Sequence, residues 1–325
     1  MAHTIRDVSK IAGVSTATVS RTFANPDSVR EETRRKVMEA ARLLNYSPNA
    51  IARSMARQQT EKLAFLICKK GSSILDEFYA GICDGIMKAT NQSDYQLMIT
   101  TEADWNTSKR NQVDGMILGG DATIGLVSEC RNQDIKVVLV NNEIEGFSFP
   151  CVINDEEKGM RLAIEHLLDR GHRKIGFLAG RFSPYISEKR YHAFQKILRE
   201  HGVELPPGYI RITDTNLSSS MESARQMLMM KDRPTAIIGA NDEIATGIMK
   251  AAIRMGLRIP EDLAVVGYDD SRVCSAVEPE LTSVHIYRHE MGRQAAELML
   301  QILRGEFPHR QKIVVDPTLH IRASS

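Results

Sequence analysis

Cysteine is scarce: five residues, Cys68, Cys83, Cys130, Cys151 and Cys274, are odd in number, far apart and without a Cys-x-x-Cys pair. That pattern excludes a disulfide framework or a zinc knuckle and leaves buried, reduced thiols as the expectation. No window approaches the roughly 18 apolar residues of a membrane span, so no membrane partner is expected. Residues 1–7 hold no apolar stretch with a small-residue cleavage site, and Arg6 and Asp7 fall where it would lie. The expected compartment is therefore the cytoplasm. Enzyme signatures are missing too. No G-x-G-x-x-G, G-x-x-x-x-G-K-S/T or G-x-S-x-G occurs, and His289-Glu290 is followed by Arg293 where a zincin needs its second histidine. Nine histidines are scattered along the chain and read as surface or core residues. No metal, no cofactor and no catalytic residue is expected.

What remains is a globular composition, 42% hydrophobic and 26% charged over 325 residues, longer than one hydrophobic core usually organises. Two or three domains are expected. Residues 1–62 hold eleven Lys or Arg against six Asp or Glu, whereas the remaining 263 hold 31 against 35. A small basic head on a slightly acidic body is the outline of a module that meets a polyanion, but a surplus this small also fits a solvated surface. The residue pattern has to decide.

Thr4 is placed to cap a helix whose Ile5, Val8, Ile11 and Ala12 recur at three- and four-residue spacing, with Asp7 completing the start and Gly13 ending it. Ser15 caps a second short helix with Val19 and Phe23 inward and Thr16, Ala17, Ser20 and Arg21 outward. After the turn cluster Asn25-Pro26-Asp27-Ser28, residues 30–44 read as a third helix with Val37, Ala40, Ala41 and Leu44 inward. Three short helices with a tight turn between the first two make a helix-turn-helix. A helix of this kind fits the major groove of DNA, where base edges are distinguishable. Arg21 is the candidate base reader, its planar fork matching O6 and N7 of a guanine. Thr16 and Ala17 offer a hydroxyl and a methyl to base edges, and Ser20 a hydroxyl to base or phosphate. Ser47-Pro48 opens a segment of barely two turns, too short to hold as an isolated helix. DNA, together with the same segment of a second subunit, would stabilise it. Within it, Met55 is suited either to wedge between base steps of a minor groove or to pack on the body.

From residue 63 onward, short apolar runs alternate with helical stretches. Strands are predicted at 63–68, 95–100, 115–118, 137–140, 174–179, 209–213, 236–239, 263–267 and 283–286, with helices at 77–90, 122–132, 156–170, 188–201, 221–230, 243–255 and 290–303. Such alternation specifies parallel sheets covered by helices, and nine strands divide more naturally into two sheets than one. Facing sheets bind ligands at the carboxyl ends of their strands. Polar residues stand at those ends: Asn141 and Asn142, Arg181, Asn241 and Asp242, Asp269 and Asp270. They suit a hydroxyl-rich ligand, while Asn241 and Asp242, immediately before a helix, more readily suit a cap.

The run from Ile5 to Arg21, IRDVSKIAGVSTATVSR, and the run from Asn45 to Met55, NYSPNAIARSM, resemble the head and hinge of the LacI/GalR family of bacterial transcription regulators. Val113-Asp114-Gly115, Arg170-Gly171-His172, Arg233-Pro234-Thr235, Ala240-Asn241-Asp242 and Val266-Gly267-Tyr268-Asp269-Asp270 extend the resemblance over nearly the whole chain. It implies an α/β core of two doubly wound parallel-sheet subdomains, periplasmic-binding-protein-like, with an N-terminal all-α helix-turn-helix head and hinge helix. Residues 1–46 would be the head, 47–60 the hinge and linker, and 61–325 the effector-binding and dimerisation core. The first subdomain would take about 61–155 and 287–316, the second about 156–286 and 317–325, with crossovers near Asp155, His285 and Asp316.

The resemblance further implies a homodimeric repressor on a pseudo-palindromic operator in double-stranded DNA, modulated by a small sugar-like effector in the cleft. Thr4, Ser15, Asn25, Tyr46, Ala52 and Arg53 join Thr16, Ala17, Ser20 and Arg21 as candidate DNA contacts, and Met55 matches the intercalating leucine of the hinge. Arg190 lies at the ligand-contacting arginine, and Asn241 and Asp269 at polar contacts of sugar-responsive members. Phe78 and Tyr79 fall in the stretch that faces the ligand from the first subdomain; Asn141 and Thr215 complete the candidate effector set. Three departures matter. Asp76-Glu77-Phe78-Tyr79 stands where many members have Asn-Pro-Phe followed by Tyr or Phe, Thr215 replaces a stacking aromatic, and only thirteen residues, Thr101 to Val113, join the second and third strands. The alternative is a cleft enzyme or sugar-binding protein with an accessory DNA-binding head.

Overall fold

A computed structural model describes residues 3–24, 26–46, 60–68, 77–102, 105, 113–180, 184–214, 216–306 and 311–325. Helix α1 (Ile5–Ala12) starts where the Thr4 backbone N–H and hydroxyl both donate to the Asp7 carboxylate at 2.9 Å. It stops at Gly13, whose φ of 66° is a left-handed conformation that glycine adopts at little cost. Ser15 Oγ accepts the Thr18 backbone N–H at 3.0 Å and so opens α2 (Thr16–Ala24). With α3 (Glu31–Leu43), these helices bury Val8, Ala12, Val19, Val37, Ala40 and Ala41 in a small core of their own.

The described strands form two six-stranded sheets. The first is ordered β2 (Gln96–Thr101), β1 (Lys62–Cys68), β3 (Gly115–Gly120), β4 (Lys136–Val140), β5 (Cys151–Asn154), β11 (Lys312–Val315). The second is ordered β7 (Ile210–Thr213), β6 (Ile175–Gly180), β8 (Ala236–Gly239), β9 (Ala264–Asp269), β10 (Thr282–His285), β12 (Thr318–His320). All pairings are parallel except that of β10 with β12. Strand β1, KLAFLIC, is buried almost end to end because helices cover both faces of its sheet.

The first sheet is covered by α4 (Glu77–Thr90), α5 (Ile124–Asn132) and a helix near the chain's end, α10 (Arg288–Leu303), and the second by α6 (Glu156–Asp169), α7 (Pro184–Glu200), α8 (Leu217–Leu228) and α9 (Asp242–Arg254). Helices α4 and α10 approach so closely that a Cβ on Gly85 would lie 2.0 Å from the His289 carbonyl oxygen, and one on Gly292 2.0 Å from that of Ile82. Only glycine permits that approach.

All seven predicted body helices are present, with two corrected starts. Helix α7 begins at Pro184, and α8 begins at Leu217 because Asn216 Oδ1 accepts the Ser219 N–H at 2.9 Å. Three strands escaped the sequence reading: β5, β11 and β12. No helix separates β4 from β5, which breaks the alternation used to find strands, and β11 and β12 are short runs with only Asp316-Pro317 between them. The chain passes from one sheet to the other after Asn154, after His285 and after Val315. Most of the segment between Thr101 and Val113 lies outside the described residues.

Candidate functional site

On α2 the helical period separates two duties. Val19 is fully buried and the Thr22 hydroxyl donates to the Thr18 carbonyl at 2.8 Å, whereas Thr16, Ala17 and Arg21 are exposed and Ser20 is half-buried. Among the described residues the Arg21 side chain makes no hydrogen bond or ion pair. Thr4 and Ser15 are occupied at the starts of α1 and α2. Tyr46 packs edge-on against Phe23 at 6.1 Å between ring centroids, which ties the end of the head to α2. Asn25, Ala52, Arg53 and Met55 lie outside the described residues, as does the hinge segment 47–59. Where the chain is described again, the Thr60 and Glu61 backbone N–H groups donate to the Asp114 carboxylate at 2.7 and 2.9 Å, which gives the Val113-Asp114-Gly115 run a structural task.

Arg190, on α7, is the centre of the second cluster and only 2% exposed. Its Nε donates to Glu156 Oε2 at 2.7 Å, its Nη2 to Asp269 Oδ1 at 3.3 Å and its Nη1 to the Ala240 carbonyl, while its guanidinium carbon sits 3.6 Å from the centroid of the Tyr268 ring. Burial opposes the charge of Arg190, but the carboxylates of Glu156 and Asp269 outweigh it and hold the guanidinium protonated. Burial raises the Asp269 carboxyl to about 7, with Arg190 opposing and Asp242 and Glu156 adding to the rise. The cation is thus balanced inside the protein.

Asn154 Nδ2 donates to Glu156 Oε1 at 3.1 Å. Asn141 and Asn154 close β4 and β5 at their carboxyl ends, and the side-chain oxygen of each is buried without a hydrogen-bond partner among the described residues. Buried acceptors of this kind are rare, and each calls for a donor from water or ligand.

Asn241 and Asp242 turn out to hold structure. Asn241 Oδ1 accepts the Ile244 N–H at 2.9 Å and caps α9, while the buried Asp242 accepts the Ser271 N–H at 2.6 Å and the Ser283 hydroxyl at 2.5 Å. Asp242 thereby fixes the bend after β9, where Asp269 and Asp270 carry positive φ angles of 99° and 49°. Tyr79 is buried in the core with Phe78 edge-on to it at 5.3 Å; Phe78 is only half-buried. Thr215 and Arg181 lie outside the described residues.

Several contacts bridge the parts of the chain that carry the two sheets, among them these two. Glu77 Oε1 accepts the Arg272 N–H at 3.1 Å, and the Tyr185 hydroxyl donates to Glu143 Oε2 at 3.3 Å. Glu77 is one of the departures seen in the sequence, and its carboxylate also lies 3.8 Å from Arg288 Nη1. Sequence reasoning missed Glu156, Asn154 and Tyr268. Tyr268 stands inside a run that was singled out, whereas Glu156 reads simply as a helix opener and Asn154 ends a strand that was not predicted. Two histidines that are far apart in sequence meet in space: His285 and His320 converge on Asp270.

Residues 4–49 match the family model described as bacterial regulatory proteins, lacI family, and residues 164–325 that of a periplasmic binding protein-like domain. The HTH-type transcriptional repressor PurR of Aliivibrio salmonicida is 30% identical, over 99% of this chain and 98% of its own length. A lac repressor dimer bound to operator and the anti-inducer ONPF matches at TM-score 0.79 and 26% identity, covering 100% of this chain and 99% of that one. A complex of the transcriptional regulator CelR with cellobiose matches at TM-score 0.74 and 27% identity, covering 99% and 100%. A helix-turn-helix head followed by a two-sheet receptor core defines a ligand-responsive transcription regulator. The chain belongs to the LacI family. Among the described residues no helix is long and apolar enough to cross a membrane.

Proposed function

We propose that this chain is a homodimeric repressor that seats paired copies of α2 in successive major grooves of a pseudo-palindromic operator and is regulated by an uncharged, hydroxyl-rich effector between its subdomains. The observation that carries the reading is the face of α2: Thr16, Ala17 and Arg21 are exposed, Ser20 flanks them, and Arg21 has no structural partner to lose on meeting a base. Arg21 reads a guanine, Thr16 and Ala17 contact neighbouring base edges, and Ser20, Thr4, Ser15, Asn25 and Tyr46 meet the backbone. The hinge within residues 47–60, with Ala52, Arg53 and Met55, enters the minor groove.

The effector class follows from charge. Arg190 already faces two carboxylates, so an anionic ligand would have to displace Glu156 or Asp269 from it, whereas the open acceptors of Asn141 and Asn154 suit hydroxyl donors. The cellobiose in the CelR complex is a ligand of this chemistry. Phe78, Asn241 and Asp269 would line the same cleft, with Tyr79 near its wall, and Thr215 remains a candidate contact from the resemblance. Repressor names among the relatives favour this reading over a cleft enzyme.

The test is selection of random duplexes by the full-length protein. An inverted repeat should be enriched, its binding should fall steeply with salt, and Arg21→Ala should weaken it. Absence of any preferred inverted repeat would overturn the DNA-binding part. In thermal-shift screens neutral sugars should stabilise the chain, and Asn141→Ala should reduce the effect. Stabilisation by sugar acids or phosphates alone would overturn the effector class.

A further inference from the structure

We infer that Asp270, His285 and His320 form a binding site for one divalent transition-metal ion where the second and third crossovers leave and re-enter the second sheet. The site is built by sheet geometry. Strands β10 and β12 run antiparallel with Ser283 opposite His320, so His285, two residues further along, lies diagonal to His320 on the same face. The two imidazole rings stack at 4.6 Å between centroids and 14° between planes. Asp270, immediately after β9, reaches both: His285 Nδ1 is 2.8 Å and His320 Nδ1 2.7 Å from the same carboxylate oxygen, Oδ2. The three donor atoms all lie within 4.8 Å of one another.

Two imidazole nitrogens and one carboxylate oxygen are a donor set for zinc, nickel or copper rather than for calcium or magnesium, which prefer oxygen. At metal–ligand distances of about 2.0–2.2 Å, tetrahedral donors stand roughly 3.3 Å apart, so each imidazole has to retreat by about half an ångström. The side chain of His320 is 43% exposed and ends a strand, which gives it that freedom. To ligate, each imidazole presents Nδ1 to the ion and carries its proton on Nε2, and the cation replaces the two contacts now shared on Oδ2. Water would complete the coordination.

The surroundings set orientation and strength. Arg322 lies 2.8 Å from the other carboxylate oxygen, Oδ1, and Arg288 Nη2 donates to the Asp270 carbonyl oxygen at 3.2 Å, so the carboxylate is held with Oδ2 toward the imidazoles. Their positive charge opposes a dication, offset in part by Glu280 at 3.9 Å from Arg322 Nε. The Tyr287 ring packs against His285 at 4.6 Å and closes that side. A site of three ligands beside an arginine binds more weakly than a four-ligand structural zinc site. A bound ion would tie the end of β9 to the strands flanking Ile286-Tyr287 and Asp316-Pro317, the segments through which the subdomains are joined.

The test uses the full-length protein, stripped with a chelator and titrated with zinc or nickel by calorimetry and thermal unfolding. One ion per chain and a raised unfolding temperature are expected. Both should be lost in His320→Ala and, independently, in His320→Gln, which keeps a polar side chain at the exposed position. His289→Ala, removing an imidazole that pairs with Asp84 elsewhere, should leave uptake unchanged. No uptake by the wild-type chain, or uptake undiminished in both His320 variants, overturns the assignment.

Discussion

Two arginines divide the work between head and core. Arg21 stands exposed on α2 with no side-chain partner, while Arg190 is sealed between Glu156, Asp269, Ala240 and Tyr268. Among the described residues, no side-chain hydrogen bond or ion pair of the head involves the first. The second carries a framework, because its loss would strand a buried carboxylate and a buried carbonyl. On the proposed function, a DNA-reading residue on a small three-helix unit is thus separable from stability, whereas an arginine sealed among buried partners is not.

The sharpest way to break that contrast is Arg190→Ala. Removing one member of a buried pair should lower the free energy of unfolding by about 3–5 kcal/mol in urea melts; a loss below about 1 kcal/mol would mean that Glu156 and Asp269 do not depend on it. Arg21→Ala should do the opposite, weakening operator binding by about 1–3 kcal/mol in anisotropy titrations at fixed salt. Its unfolding midpoint should stay where it was, and a shifted midpoint would give Arg21 a structural duty. Gly13→Ala probes the head alone. Its φ of 66° should cost about 1–2 kcal/mol of head stability by circular dichroism, with the core transition unmoved.

The smallest effect concerns protons. With the Asp269 carboxyl raised to about 7 from an ordinary 3.8, the native state binds a proton that the unfolded chain has already lost between those values. Stability from this group is fully present below about pH 4 and is lost as pH rises toward 7. Asp269→Asn should flatten that part of the stability profile; an unchanged slope would assign it to Asp242, which burial also raises, to about 6.

How much was legible depends on how far apart the interacting residues lie. Thr4 with Asp7, and Ser15 with Thr18, are three residues apart, and Val19 and Phe23 are four, so caps and helical faces in the head could be read directly. The alternation of runs gave the body helices and nine strands, but β5 escaped because no helix precedes it, and β11 and β12 because four- and three-residue runs carry little period. The cleft was legible as a set of polar strand ends and not as a network: the sequence could offer Asn241 and Asp242 as caps or ligand contacts, but not show that Asn241 caps α9 while Asp242 reaches across to Ser271 and Ser283.

By itself the sequence determined the head, its outward face and the sequence of β and α elements, since capping, helical period and strand alternation act over a few residues. Tertiary structure alone decided that Glu156 and Asp269, 34 and 79 positions from Arg190, neutralise it, and that His285 and His320 meet on Asp270. Sheet order and crossings bring those side chains together, and pairing over such separations leaves no local pattern to read.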